Sequence, residues 1–123
     1  MNAADLFSNH RDPVLVLAGT ALFHAGDPGD TMYVVLEGEL QVEVNGQVLE
    51  VATRGGIIGE MALIDHSPRG ATVVARTDAK LARIDERRFH FMIQEHPFFA
   101  TLVMKTLADR LRRMNSGLSS SEG

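Results

Sequence analysis

The sequence predicts a mainly β domain closed by two C-terminal helices. Short apolar runs separated by glycine-bearing turns fill positions 14–84. After Ile84 the apolar spacing changes from two residues to three and four. A chain of 123 residues, 45% hydrophobic and 23% charged, suits one domain around one core.

Taken in order, residues 2–9 can form a short N-terminal helix. The apolar run 14–23 is interrupted at Gly19-Thr20. Met32, Val34 and Leu36 alternate with Tyr33 and Val35. Leu40, Val42 and Val44 alternate with Gln41, Glu43 and Asn45, the pattern of a half-buried strand. Asn45-Gly46 is a strong hairpin signal, because a type I′ turn needs positive φ at both central residues. Residues 47–51 then return as the partner strand, and residues 71–75 and 79–84 supply the last two. About eight short strands at this spacing read as a sandwich, barrel or jelly roll.

Beyond the strands, Asp85 is the expected N-cap of a first helix. Pro97 fits the first turn of a second, where its missing N–H costs nothing. In that second helix Phe99, Leu102, Val103, Leu107, Leu111 and Met114 make an apolar stripe. Lys105, Arg110, Arg112 and Arg113 read as its solvated face. The expected domain spans 1–116, with the barrel at about 14–84 and the helices at about 85–116. Residues 117–123 read as a disordered tail.

Several function classes are disfavoured. A net charge of -4 argues against general nucleic-acid affinity. The absence of cysteine removes disulfides and thiolate metal sites. The N-terminus lacks the basic-then-apolar order of a signal peptide. The run 14–23 is about half of the ~20 residues a membrane-spanning helix needs. A cytoplasmic protein without a membrane anchor is expected. His10, His24, His66, His90 and His96 include no i, i+2 pair, so no metal is expected. No Ser-His-Asp set and no acid–base pair stands out, so the chain is read as a non-enzyme.

The segment 57–73, IIGEMALIDHSPRGATV, carries the chemistry. Arg69 offers a planar fork that grips two phosphate oxygens. Met61, Ala62 and the two residues after them can form one helical turn whose leading N–H groups face an anion. Gly59 and Gly70 let a ligand approach the backbone closely. Glu60 is repelled by phosphate and is an acceptor only, which suits a sugar hydroxyl. The segment therefore fits a ligand with one anionic end and one hydroxyl end: a sugar phosphate or a nucleotide. A single arginine and no triphosphate loop favour a singly charged phosphodiester.

The run GEMALIDHSPRGATV resembles the phosphate-binding cassette of the cyclic nucleotide-binding domain family, and AGTALFHAGDPGDTMYVVLEGELQV is similar to that family's early strands. The resemblance implies an eight-stranded β jelly roll (double-stranded β-helix) with a short N-terminal helix, a cassette helix and two C-terminal helices. It implies that Glu60 accepts from the ribose 2′-hydroxyl and that Arg69 pairs with the cyclic phosphate. Backbone N–H groups near Gly59, Ala62, Gly70 and Ala71 would complete the phosphate seat, and Met61 is counted among the ligand-binding residues. Val42 and Leu49 would line the base, with Met114 and Asn115 covering it from the last helix.

The implied ligand is cAMP, with cGMP possible, since Gly70 lacks the hydroxyl associated with a preference for cGMP. No DNA-binding domain follows the helices in the sequence. The expected function is a stand-alone receptor that repacks its C-terminal helices and signals to an output protein, or dimerises through residues 97–116. Two other readings are a nucleotide-independent dimerisation or protein-interaction module of the same fold and a metal-dependent cupin enzyme.

Overall fold

A computed structural model describes the backbone of residues 2–122 and the side chains of residues 2–113. Eight strands are present: β1 (Val14–Val16), β2 (Ala21–Phe23), β3 (Thr31–Glu37), β4 (Leu40–Val44), β5 (Gln47–Ala52), β6 (Ile57–Ile58), β7 (Thr72–Ala75) and β8 (Ala79–Asp85). Four helices accompany them: α1 (Ala3–Leu6), α2 (Met61–Ile64), α3 (Glu86–Glu95) and α4 (Pro97–Glu122). The strands form two four-stranded antiparallel sheets, ordered β1-β8-β3-β6 and β2-β7-β4-β5. This is the jelly roll expected from the cassette.

The apolar run 14–23 is two strands in opposite sheets, with the chain crossing between them around Gly19 and Thr20. The Asn45-Gly46 turn is as the sequence predicts, with φ of 53° and 79°. Asp85 caps α3 by accepting from the Arg88 N–H at 2.8 Å. The N-terminal helix is shorter than the expected 2–9. Its capping box joins Asn2 and Asp5, and it ends at Leu6.

β3 is apolar on both faces because both faces are covered. Met32 and Val34 pack with Ala82 and Ile84 of β8 against the helices, in a cluster with Phe7, Phe89, Met92, Phe99 and Val103. Val35 and Leu81 point the other way, into the barrel with Leu40, Ile58, Val73 and Ala75. The helical layer is joined by aromatic rings. Phe99 is fully buried and meets Phe7 at 5.6 Å and Phe89 at 6.0 Å, both edge to face. One side chain thus ties α1 and α3 to the start of α4.

The α4 stripe differs from expectation at its far end. Phe99 and Val103 are buried and Leu102 and Leu107 partly so, but Leu111 is 58% exposed. Arg110 takes the inward place instead. It lies seven residues after Val103 and three after Leu107, so it shares their helix face. Met114 and residues 117–123 lie outside the residues whose side chains are described.

Phe99→Ala should destabilise the fold by about 3–5 kcal/mol, because three helices lose a shared contact. Urea unfolding followed by far-ultraviolet circular dichroism measures it. A loss similar to that of an exposed-residue control such as Phe98→Ala would contradict the packing described.

Candidate functional site

A cavity of about 610 Å³ opens between the β2-β7-β4-β5 sheet, the cassette and α4. Its apolar end is made by Val42, Val44, Leu49 and Val73. Its polar end is made by Gly59, Ala62, Ser67, Arg69, Gly70 and Ala71, with Met61 on the rim. Of the residues expected from sequence, Val42, Leu49, Gly59, Met61, Ala62, Arg69, Gly70 and Ala71 all line it. Glu60 lies beneath the wall, 1% exposed. Met114 and Asn115 fall outside the residues whose side chains are described.

Local chain geometry explains the polar end. Gly59 has φ of +77°, and a Cβ there would overlap Nη1 of Arg69. This turn feeds α2, the single helical turn expected at Met61–Ile64. The cassette loop is strapped back to the early strands. The Arg69 N–H donates to Asp27 O at 2.8 Å, and the Gly26 N–H donates to Arg69 O at 2.7 Å. Asp65 holds the middle of the loop by accepting from the backbone N–H and the hydroxyl of Ser67. Those bonds hold its carboxyl below the usual carboxylate range. The N–H groups of Gly70 and Ala71 have no protein acceptor among the described residues.

Arg69 is held in place by the protein's own groups. Its Nη1 donates to Thr31 O at 2.8 Å and to Gly59 O at 3.2 Å, and its Nη2 donates to the Thr31 hydroxyl at 3.3 Å. The guanidinium stacks 4.3 Å from the Phe23 ring centroid and 5.8 Å from that of Tyr33. Burial pulls its pKa below the ordinary arginine value. The remaining donors stay available to an anion. Gly29 makes this pose possible, since a Cβ there would overlap the Nε–Cζ edge of the guanidinium.

Glu60 does not pair with Arg69. Its Oε1 accepts from Nη1 of Arg110 on α4. Arg110 also donates from Nε to Glu50 at 2.8 Å and from Nη2 to Ile57 O at 2.8 Å. Arg113 reaches Glu50 at 3.1 Å. Burial alone would lower the Arg110 pKa, but the charges of Glu60 and Glu50 outweigh it and the net direction is upward. The second oxygen of Glu60, Oε2, is buried and accepts no hydrogen bond from the protein.

The expectation that Arg110 belongs to a solvated helix face is therefore corrected: it turns inward and lines the cavity, while Arg113, at the cavity mouth, stays about half exposed. A buried carboxylate needs a cation, and the α4 helix carries one on its inward face. Sequence reasoning also missed Phe23, Thr31, Gly29 and Glu50. A signal for Arg110 existed in its spacing from Val103 and Leu107. No such local signal existed for Glu50, which is brought in by the β4-β5 hairpin. Among the described residues, no group of three His, Asp or Glu side chains can hold a metal ion, and no helix is long and apolar enough to cross a membrane.

Arg110→Ala should cost about 3 kcal/mol of stability, since Glu60 loses its counter-charge inside the protein. Leu111→Ala, one residue on but exposed, should stay within about 0.5 kcal/mol. Equal unfolding midpoints for the two variants would contradict the ion-pair role of Arg110.

Comparison with known proteins places this geometry. The family model for the cyclic nucleotide-binding domain matches residues 13–96. Lysophospholipase nte1 of Aspergillus terreus is 35% identical over 104 residues, covering 80% of this chain and 7% of that protein. The chain thus spans about 7% of the length of the curated relatives it matches. The crystal structure of the Thermus thermophilus catabolite activator protein is 28% identical with a TM-score of 0.81, covering 96% of this chain and 58% of that one. The EAL enzyme Bd1971 in its cAMP-bound form is 30% identical with a TM-score of 0.62, covering 89% of this chain and 30% of that one. The cassette, the jelly roll and these matches agree, and this chain belongs to the cyclic nucleotide-binding domain family.

Proposed function

We propose that the chain is a receptor domain, residues 1–116, that binds cAMP in preference to cGMP and has no catalytic role of its own. The observation that carries this is the buried Oε2 of Glu60, an acceptor without a donor just behind the wall of the cavity that Arg69 lines. An orphaned buried acceptor costs about 1–3 kcal/mol, and a ligand hydroxyl recovers that cost. A cyclic nucleotide meets the whole geometry. Its phosphodiester suits the remaining Arg69 donors and the N–H groups of Gly70 and Ala71. Its ribose hydroxyl suits Glu60. Its base suits the apolar end at Val42 and Leu49. The cAMP-bound relative supports the choice of nucleotide, as does Gly70, which offers no hydroxyl to a guanine.

The mechanism follows from who holds Glu60. Arg110 ties α4 to Glu60 and Glu50. A hydroxyl arriving at Oε2 joins Arg110 on the same carboxylate and withdraws charge from the Oε1 that holds Arg110. The position of α4 then responds to binding as a population shift. Met114 and Asn115 follow on the same helix and would cover the base. The signal passes from α4 to an output protein or to a second copy of the chain.

Calorimetric titration with both nucleotides tests this. We expect one site per chain and tighter binding of cAMP. No heat at high micromolar ligand would overturn the proposal. Arg69→Ala should weaken binding by about 2–5 kcal/mol, the cost of leaving a buried phosphate without its charge partner. Gly29→Ala keeps that charge but displaces it, so binding should fall about tenfold or more while the thermal midpoint changes little. Unchanged affinity in both variants would place the anion elsewhere.

A further inference from the structure

A second cavity of about 590 Å³ lies between the lead-in to β1, the end of β8 and the first turns of α3. None of its lining residues is shared with the cavity that carries Arg69. Arg83, Arg87 and Arg88 line it, and among the described residues none of the three guanidinium groups makes an ion pair or a hydrogen bond. Two carboxylates, Asp12 and Asp85, share the cleft. Asp85 is already committed, because it caps α3 through the Arg88 N–H. The cleft thus holds three guanidinium groups against two carboxylates, one of them engaged by the α3 cap, and Arg88 also lies over the Phe7 ring at 5.7 Å.

Two further features point to an occupant. His10 contributes a buried Nδ1 that has no hydrogen-bond partner. Burial, and then the nearby charge of Arg88, lower its pKa and disfavour the charged ring. Phe91 stands on the rim, 58% exposed, one helical turn after Arg87 and Arg88. The cleft thus offers guanidinium forks, one unused polar atom and one apolar contact.

We propose that this cleft is a docking site for an acidic segment of a partner protein, with an apolar residue beside its carboxylates. A carboxylate matches the guanidinium fork through two parallel hydrogen bonds. The apolar residue packs on Phe91. The His10 ring supplies or accepts one hydrogen bond from the segment's backbone. A nucleic-acid backbone fits less well. Its phosphate charge runs on past the cleft over a chain of net charge -4, whereas a short acidic segment places carboxylates only beside the arginines. A bilayer fits less well too, because the arginines lie in a concave cleft rather than along an amphipathic helix face.

The test is a titration of the isotopically labelled chain, followed by amide chemical shifts. The probes are a short synthetic peptide of alternating glutamate and leucine, the same peptide with lysine for glutamate, phosphatidylserine vesicles and a short DNA duplex. We expect the acidic peptide to shift residues 10–14 and 83–91, and its affinity to fall as salt is raised. The lysine peptide should leave those residues unmoved. The double variant Arg87→Glu with Arg88→Glu should bind the acidic peptide at least about tenfold more weakly, since like charges then face each other. Both substituted side chains are exposed and sit in the first turn of α3, where acidic residues favour the helix, so the fold should be retained. Binding of the acidic peptide that the double variant leaves intact, shifts confined to other surfaces, or tighter binding of vesicles or duplex than of the peptide would each overturn the proposal.

Discussion

A carboxylate sealed inside an apolar protein must find a cation, and for Glu60 that cation comes from a helix 50 residues further along the chain. Arg110 meets Glu60, Glu50 and the carbonyl of Ile57 together, so one guanidinium joins the cassette, the β5 strand and α4. Such a buried pair adds little net stability over an apolar substitute, because desolvation offsets the attraction. What it does is fix where α4 sits. The helix is anchored at its start by Phe99 among aromatic rings and at mid-length by Arg110 among carboxylates. The first anchor is insensitive to small polar ligands. The second is not, because any hydroxyl that reaches Glu60 enters the same hydrogen-bonding set.

Arg69 works under the opposite condition. Its position is set by carbonyls of Thr31 and Gly59 and by the face of Phe23, none of which carries charge. The cation is therefore fixed by uncharged protein groups, and little ordering remains to oppose anion binding. The two glycines that make the pose possible, Gly29 and Gly59, come from different parts of the chain and close on the same guanidinium. One end of the cavity is thus preorganised, and the other is tied to α4 through Arg110.

Most of the fold was legible in the sequence, and the reasons are local. The Asn45-Gly46 turn, the Asp85 cap and the single turn at Met61–Ile64 each rest on neighbouring residues, and each is present. The cassette was legible because its residues are contiguous. Contacts across the fold were not. Nothing near Glu60 in the sequence points to Arg110, and an arginine beside Arg112 and Arg113 reads naturally as solvated. Its three-residue step from Leu107 placed it on the buried face, but apolar Leu111 was the more obvious continuation of the stripe. Thr31, Phe23 and Glu50 were hidden for the same reason: their roles arise from sheet pairing and from the closure of the barrel, not from a motif.

The account turns on Glu60 serving both α4 and a ribose hydroxyl. Its most direct test compares the affinity of cAMP with that of 2′-deoxy-cAMP, first in the natural chain and then in Glu60→Ala. The account predicts that loss of the hydroxyl weakens binding by about 1.5–3 kcal/mol in the natural chain and has almost no effect once Glu60 is gone. Equal affinity for the two ligands in the natural chain would contradict it.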